Sequence, residues 1–175
     1  LQGPVATRSG YGNHTRDLAM ALIKSEKYDV KIISLRWGDT PLNALKLDNP
    51  DHIEISKRIA TKPITTQPDI FIQVSVPNEF GIGPDGKPMQ IGKFNIGVTA
   101  GIETTIVPAS FIEGCNRMDV VITTSEHSKQ GFIKSVFDRV DNNTKQKVGS
   151  LKLEKPIEVL FEGVDLNVYK KTTDI

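Results

Sequence analysis

Asn95-Ile-Gly-Val-Thr-Ala-Gly-Ile-Glu-Thr-Thr105, followed by a proline-led helix and then Asp119-Val-Val-Ile-Thr-Thr-Ser-Glu-His-Ser128, is the stretch whose reading decides the fold. It reads as strand, loop, helix, strand, loop, helix. Phe94, Ile96 and Val98 run into Thr99-Ala100-Gly101-Ile102-Glu103-Thr104-Thr105, a loop with a glutamate and three hydroxyls. Val120, Val121 and Ile122 run in the same way into Thr124 to Ser128. In an open parallel sheet, ligands bind outside the carboxyl ends of the strands. These two loops are therefore the first candidates for a site.

Outward from this unit the same alternation continues. Leu1 to Ala6 reads as a first strand, entering a glycine turn at Gly10-Tyr11-Gly12. A helix follows to about Lys27, with Leu18, Ala19, Leu22 and Ile23 on one stripe. Asp29 to Leu35 is a second strand, closed by Arg36 and Trp37. Prolines 41, 50, 63 and 68 punctuate a weak region holding short helices near Leu42 to Leu47 and Ile53 to Ile59. Asp69 to Val76 is a firm, mostly apolar third strand, and Pro77 to Lys93 a hairpin or flap with Asp85-Gly86 as its turn.

Pro108 suits a helix's first turn, and Phe111, Ile112, Cys115 and Met118 form that helix's buried stripe. After Ser125 the stripe is Phe132, Ile133, Val136, Phe137 and Val140. Asp141 to Lys155 is a polar surface excursion, and Ile157 to Phe161 the last strand. Alternation of this kind implies an α/β fold, a doubly wound, mostly parallel sheet with helices on both faces. The expected strand order is 3-2-1-4-5-6. First and fourth strands are then neighbours, and the glycine turn faces the Thr99 loop across one cleft.

Composition narrows the function. The 175 residues fit one domain, and a net charge of +1 gives no case for a polyanionic partner or an anionic membrane surface. The single cysteine, Cys115, excludes an internal disulfide, and its apolar stripe points to the core; the cytosol is the expected compartment. No apolar run approaches the ~18 residues of a membrane span. No His or Cys spacing suggests a metal site, and no cofactor is expected. The chain begins at Leu1 without an initiator methionine, which is compatible with a fragment.

The candidate residues follow from these loops. Gly10, Tyr11 and Gly12 precede a helix end that favours an anion and lets a ligand approach backbone, although a packing turn explains the glycines equally simply. As a dinucleotide fingerprint the turn is poor: Thr15 stands where a third glycine belongs, and Arg36 where an NAD enzyme needs an acid. His14 is a candidate base. Glu103 is the carboxylate best placed to accept from sugar hydroxyls, against a plain role as cap of a helix beginning near Thr105. Thr99 and Gly101 share its loop. Ser125, Glu126 and Ser128 read first as ordinary helix capping and second as ligand contacts.

Gly3-Pro4 with Ser9-Gly10-Tyr11-Gly12, Asn95 to Thr105, Met118 to Ser128, and Leu160-Phe-Glu-Gly-Val-Asp165 together resemble the amino-terminal half of group 1 (family 4-like) glycosyltransferases of the GT-B fold. The resemblance spans nearly the whole chain in order. It implies a Rossmann-like acceptor domain over 1–175, with a donor-binding carboxyl-terminal domain not contained in this chain. It implies a nucleotide-sugar as co-substrate and a sugar or glycan-like acceptor, with peripheral membrane contact allowed. Gly10 and Gly12 would border the donor phosphates, Glu103 and its neighbours would line the acceptor side, and Ser125 to Ser128 the rim. Glu162, Gly163 and Asp165 would lead toward the interdomain linker. The family often has a histidine in the fourth-strand loop, where this chain has Thr99-Ala100-Gly101. Two other readings compete: a non-catalytic small-ligand or nucleotide-binding module, and a nicotinamide-dependent oxidoreductase disfavoured by the broken fingerprint.

Overall fold

The computed structural model describes residues 1–166 and 169–171. Six strands form one parallel sheet: β1 (Gln2–Gly3), β2 (Ile33–Ser34), β3 (Ile70–Val74), β4 (Phe94–Thr99), β5 (Val120–Thr123) and, at the far edge, β8 (Ile157–Val159). A separate antiparallel hairpin pairs β6 (Phe137–Val140) with β7 (Lys147–Leu151). Four helices connect them: α1 (Gly10–Lys24), α2 (Pro50–Arg58), α3 (Ala109–Asn116) and α4 (Glu126–Lys134).

The order across the sheet is β2-β1-β3-β4-β5-β8, which corrects the expected order. The third strand lies beside the first, Gln2 opposite Gln73, instead of outside the second. The outer slot beside β2 is taken by a single parallel bridge between Ile32 and Ile59, where Ile32 N–H donates to Arg58 O and Ala60 N–H to Ile32 O. Ile59-Ala60 is too short and too close to Pro63 to read as a strand. The winding reverses once, between β1 and β3, so first and fourth strands are not neighbours.

Helices cover both faces. Register places Gln2, Gln73, Gly97 and Val121 on one face, and Gly3 on the other. On the second face α1 packs so close that a Cβ on Gly3 would meet the Thr15 side chain at 2.7 Å. On the first face the Phe80 ring lies on Gly97, where an added Cβ would be 2.5 Å from the ring edge. Around Phe80 gather Ile112, Cys115, Met118, Val121, Phe132 and Ile157; a second cluster joins Val5, Ala19, Val30, Ile32 and Ile55. Cys115 is fully buried, and burial pushes its thiol up to about 12, so it is core and no nucleophile.

Several element boundaries move. Gly10 to Gly12 form the first turn of α1 itself, with Ser9 as N-cap accepting from Gly12 N–H, and α1 ends at Lys24. Leu42 to Leu47 is irregular, and α2 starts earlier than expected because Asn49 caps it and Pro50 fits its first position. Pro77–Glu79 is a short 3₁₀ turn; beyond it, Ile82 and Pro88 form the expected hairpin, with Gly86 at φ 75°. Pro108 is the N-cap of α3, one position before its first turn.

The helix after Ser125 ends at Lys134, and Phe137 and Val140 belong to β6. The fully buried Ser135 hydroxyl stops it by donating to Gly131 O while accepting from Val107 N–H. Val136 and Val140 are exposed, so the apolar stripe does not continue beyond α4. The polar excursion therefore contains β7, whose Leu151 reaches the core.

Candidate functional site at the carboxyl edge of the sheet

The reversal between β1 and β3 opens a crevice at their carboxyl ends, and α1 begins directly above it. Tyr11, on the first turn of α1, reaches over the end of β3 to β4. Its hydroxyl lies 3.0 Å from Thr99 Oγ1 and accepts from Ala100 N–H at 3.2 Å. The glycine-bearing segment and the Thr99 loop do meet at one lip, although through a side chain spanning an intervening strand. Trp37, from the loop after β2, stacks on Tyr11 with ring centroids 4.3 Å apart. Burial pushes the Tyr11 phenol above its ordinary range; the hydrogen bonds to Thr99 and Ala100 oppose this, and the Glu162 and Glu79 carboxylates add to it.

Gly10 and Gly12 do different work. A Cβ on Gly12 would stand 2.3 Å from Thr7 O, so this glycine serves close packing of α1 on the β1 loop. A Cβ on Gly10 would meet nothing within 4 Å. The N–H groups of Gly10 and Tyr11 have no acceptor among the described residues, because Ser9 Oγ engages Gly12 N–H and Ser9 O engages Asn13 N–H. An open glycine and two unused donors at a positive helix end suit an anionic or polar ligand.

His14 lies one turn along the same flank as Tyr11. Its Nδ1 is 3.2 Å from Glu162 Oε1, while Nε2 is buried and has no partner among the described residues. The pair orients the ring, with Nδ1–H donating to the carboxylate and Nε2 left as an acceptor. Asp17, one further turn on, has its carboxyl pushed up by burial, with the His14 and Arg16 charges opposing and Glu162 and Asp165 reinforcing. The segment carrying Glu162, Gly163 and Asp165 thus leaves β8 at one edge of the sheet and returns to α1. A second buried polar atom without a partner among the described residues, Thr123 Oγ1, ends β5 at this same edge.

The remaining candidates divide. Gly101, at φ 78°, packs on Ser128, where a Cβ would come within 2.8 Å of the serine Cβ. Ser125 caps α4 by accepting from Ser128 N–H, and Ser128 Oγ donates to Ala100 O, so both serines tie α4 to the β4 loop. Glu126 is held by Gln130 on the exposed side of α4. Glu103 is exposed, with its carboxylate in no hydrogen bond; only its carbonyl contacts His127 Nε2, at 3.1 Å. It lies six residues before α3, which removes its capping role.

Glu79 is the site residue that sequence reasoning missed. It follows the carboxyl end of β3 and accepts from the Ser75 hydroxyl in a short contact, close enough to Tyr11 to act on its phenol. The signal was the firm strand ending in Ser75-Val76-Pro77-Asn78-Glu79, a carboxylate at a strand terminus.

Among the described residues, no group of three or more His, Cys, Asp or Glu converges as metal ligands would, and no helix is long and apolar enough to cross a membrane. No protein-family model matches the chain, and no curated protein or solved structure is significantly similar to it. What the findings establish is an α/β domain with a six-stranded parallel sheet and a small antiparallel hairpin.

Proposed function

We propose that this chain is the Rossmann-like acceptor-side domain of a cytosolic glycosyltransferase that uses a nucleotide-sugar, binding a sugar or glycan-like acceptor at the carboxyl edge of its sheet. The single winding reversal beside β1 supports the fold half of this reading; counting the Ile59 bridge as an edge strand gives the doubly wound order around that reversal. The observation that carries the functional half is the joined lip: Tyr11 bonded to Thr99, with the Glu162-oriented His14 beside it.

Glycosyl transfer needs an acceptor hydroxyl aimed at the anomeric carbon and charge stabilised on the leaving diphosphate. Here His14 Nε2 is the acceptor for that hydroxyl's proton, Glu162 sets the ring's tautomer, and the α1 end supplies N–H donors. Nε2 is covered in this structure, so a substrate must displace part of its cover while the Nδ1–Glu162 contact stays in place. One observation favours the runner-up, a binding module without catalysis: Glu103 stands apart from this lip.

The test follows released nucleotide when the protein from its full reading frame meets a panel of nucleotide-sugars and sugar acceptors. The reading expects transfer that His14→Ala lowers by about 100-fold or more, and none from residues 1–175 alone. Tight NAD(P) binding with no response to any nucleotide-sugar would overturn it.

A further inference from the structure

The other flank of α1 carries a feature that the sugar-transfer reading does not use. Tyr11 and His14 point one way around the helix; Asn13 and Arg16 point the other, at three-residue spacing from Gly10. On that flank lies an open groove of about 510 Å³ lined by Arg8, Ser9, Gly10, Asn13, Arg16 and Lys46, with Ala44 at its wall. Arg8 and Lys46 come from two different loops, which are tied together by Arg8 N–H donating to Pro41 O and Ala44 N–H to Ala6 O.

No carboxylate forms an ion pair with Arg8, Arg16 or Lys46 among the described residues. Arg16 is held in place by donating to Val5 O at 2.8 Å, to Thr7 O at 2.9 Å, and to Asn13 Oδ1. Its charge therefore faces the groove from a fixed position. The nearest acidic group on α2, Asp51, is engaged by Lys24 at 2.8 Å. Three guanidinium or ammonium groups and the unused N–H donor of Gly10 thus line one cavity with no carboxylate in its wall; Asp17, which acts on Arg16, is not part of that wall. Like charges gathered without counter-ions repel, and an anion between them relieves the repulsion.

We propose that this groove binds a compact dianion, the phosphate monoester of a phosphorylated ligand or inorganic phosphate itself. Arg8 and Lys46 supply the movable cations, Arg16 the fixed one, and the start of α1 the backbone donors. The site shares the start of α1 with the sugar-transfer reading, but its three cations lie on the flank away from His14.

The experiment titrates the 175-residue protein, at physiological ionic strength, with inorganic phosphate, a sugar 6-phosphate and the unphosphorylated sugar, reading amide shifts and heat. Saturable binding of a phosphate species, with shifts at Gly10, Tyr11 and Lys46, is expected. The double variant Arg8→Gln/Lys46→Gln should weaken it about tenfold or more at unchanged thermal midpoint. A tighter sugar phosphate identifies a phosphorylated ligand; equal affinity identifies free phosphate. Absence of saturable binding, equal affinity in the double variant, or shifts confined to His14 and Glu162 would each overturn the proposal. Because no transfer is measured, failure of the glycosyltransferase reading leaves this result interpretable.

Discussion

The two ends of the parallel sheet treat their polar groups in opposite ways. At the amino end, Asn95 accepts from Gly92 N–H at 2.8 Å and donates to Gly92 O and Asp119, while Asp119 also accepts from Asn95 N–H at 2.7 Å. Beside them Arg117 donates to Phe80 O and Asn78 O. A hollow of about 260 Å³ lies here, yet Asn95, Asp119 and Arg117 in its wall are already engaged within the fold. At the carboxyl end, His14 Nε2 and Thr123 Oγ1 are buried without partners among the described residues, and the first donors of α1 are unused there. A buried polar group without a partner costs stability, so such groups persist where another role maintains them. The satisfied end is a brace, and the unsatisfied end is the candidate site.

The contrast can be broken by substitution, beginning with the largest effect. Gly12→Ala forces a Cβ against the backbone of Thr7 and should cost about 3 kcal/mol or more in urea unfolding. A loss this large at the site end would show that Gly12 serves packing. Asn95→Ala strands Gly92 N–H and part of Asp119 at the brace, and about 2–3 kcal/mol is expected by the same measurement.

Smaller effects sharpen the contrast at the other end. Thr123→Val removes an orphan hydroxyl while keeping the shape. Stability should hold or rise by about 1 kcal/mol, read as a thermal midpoint that does not fall. A clear loss there would mean that Thr123 Oγ1 has a partner and that the end is satisfied after all. Gly10→Ala points into open space on a helix's first turn and should raise stability by about 0.5 kcal/mol in calorimetry. A destabilisation would remove the distinction between the open and the packed glycine.

Much of this was legible before any coordinates, for identifiable reasons. The central strands β3 and β5 read as mostly apolar runs, and β4 as apolar residues alternating with small or polar ones. The stripe of Ile112, Cys115 and Met118 is fully internal, and its period is unambiguous. The strand order was misread because one edge position is a single bridge at Ile59, which carries no periodic signal. Phe137 and Val140 misled because they continue the helical spacing of Phe132 and Ile133, although the helix has stopped at Lys134 before them.

At the site, Tyr11, Thr99 and His14 were visible as polar groups beside glycines at element ends. Glu79 and the His14–Glu162 contact were not, since they depend on which strand lies at the reversal and on where the tail after β8 turns back. The basic groove was equally invisible. Arg8, Arg16 and Lys46 are scattered in a chain of net charge +1, and only the docking of the 40–46 loop on the segment before α1 assembles them.

The central claim is that ligand chemistry belongs to the carboxyl end of the sheet alone. Backbone amide shifts of the 175-residue chain, followed through titration with a panel of nucleotide-sugars and sugar phosphates, test this most directly. The account predicts saturable changes at Gly10, Tyr11, His14, Thr99 to Gly101 and Glu162, with Gly92, Asn95 and Asp119 silent. Changes centred on Asn95 and Asp119 with a silent α1 would contradict it.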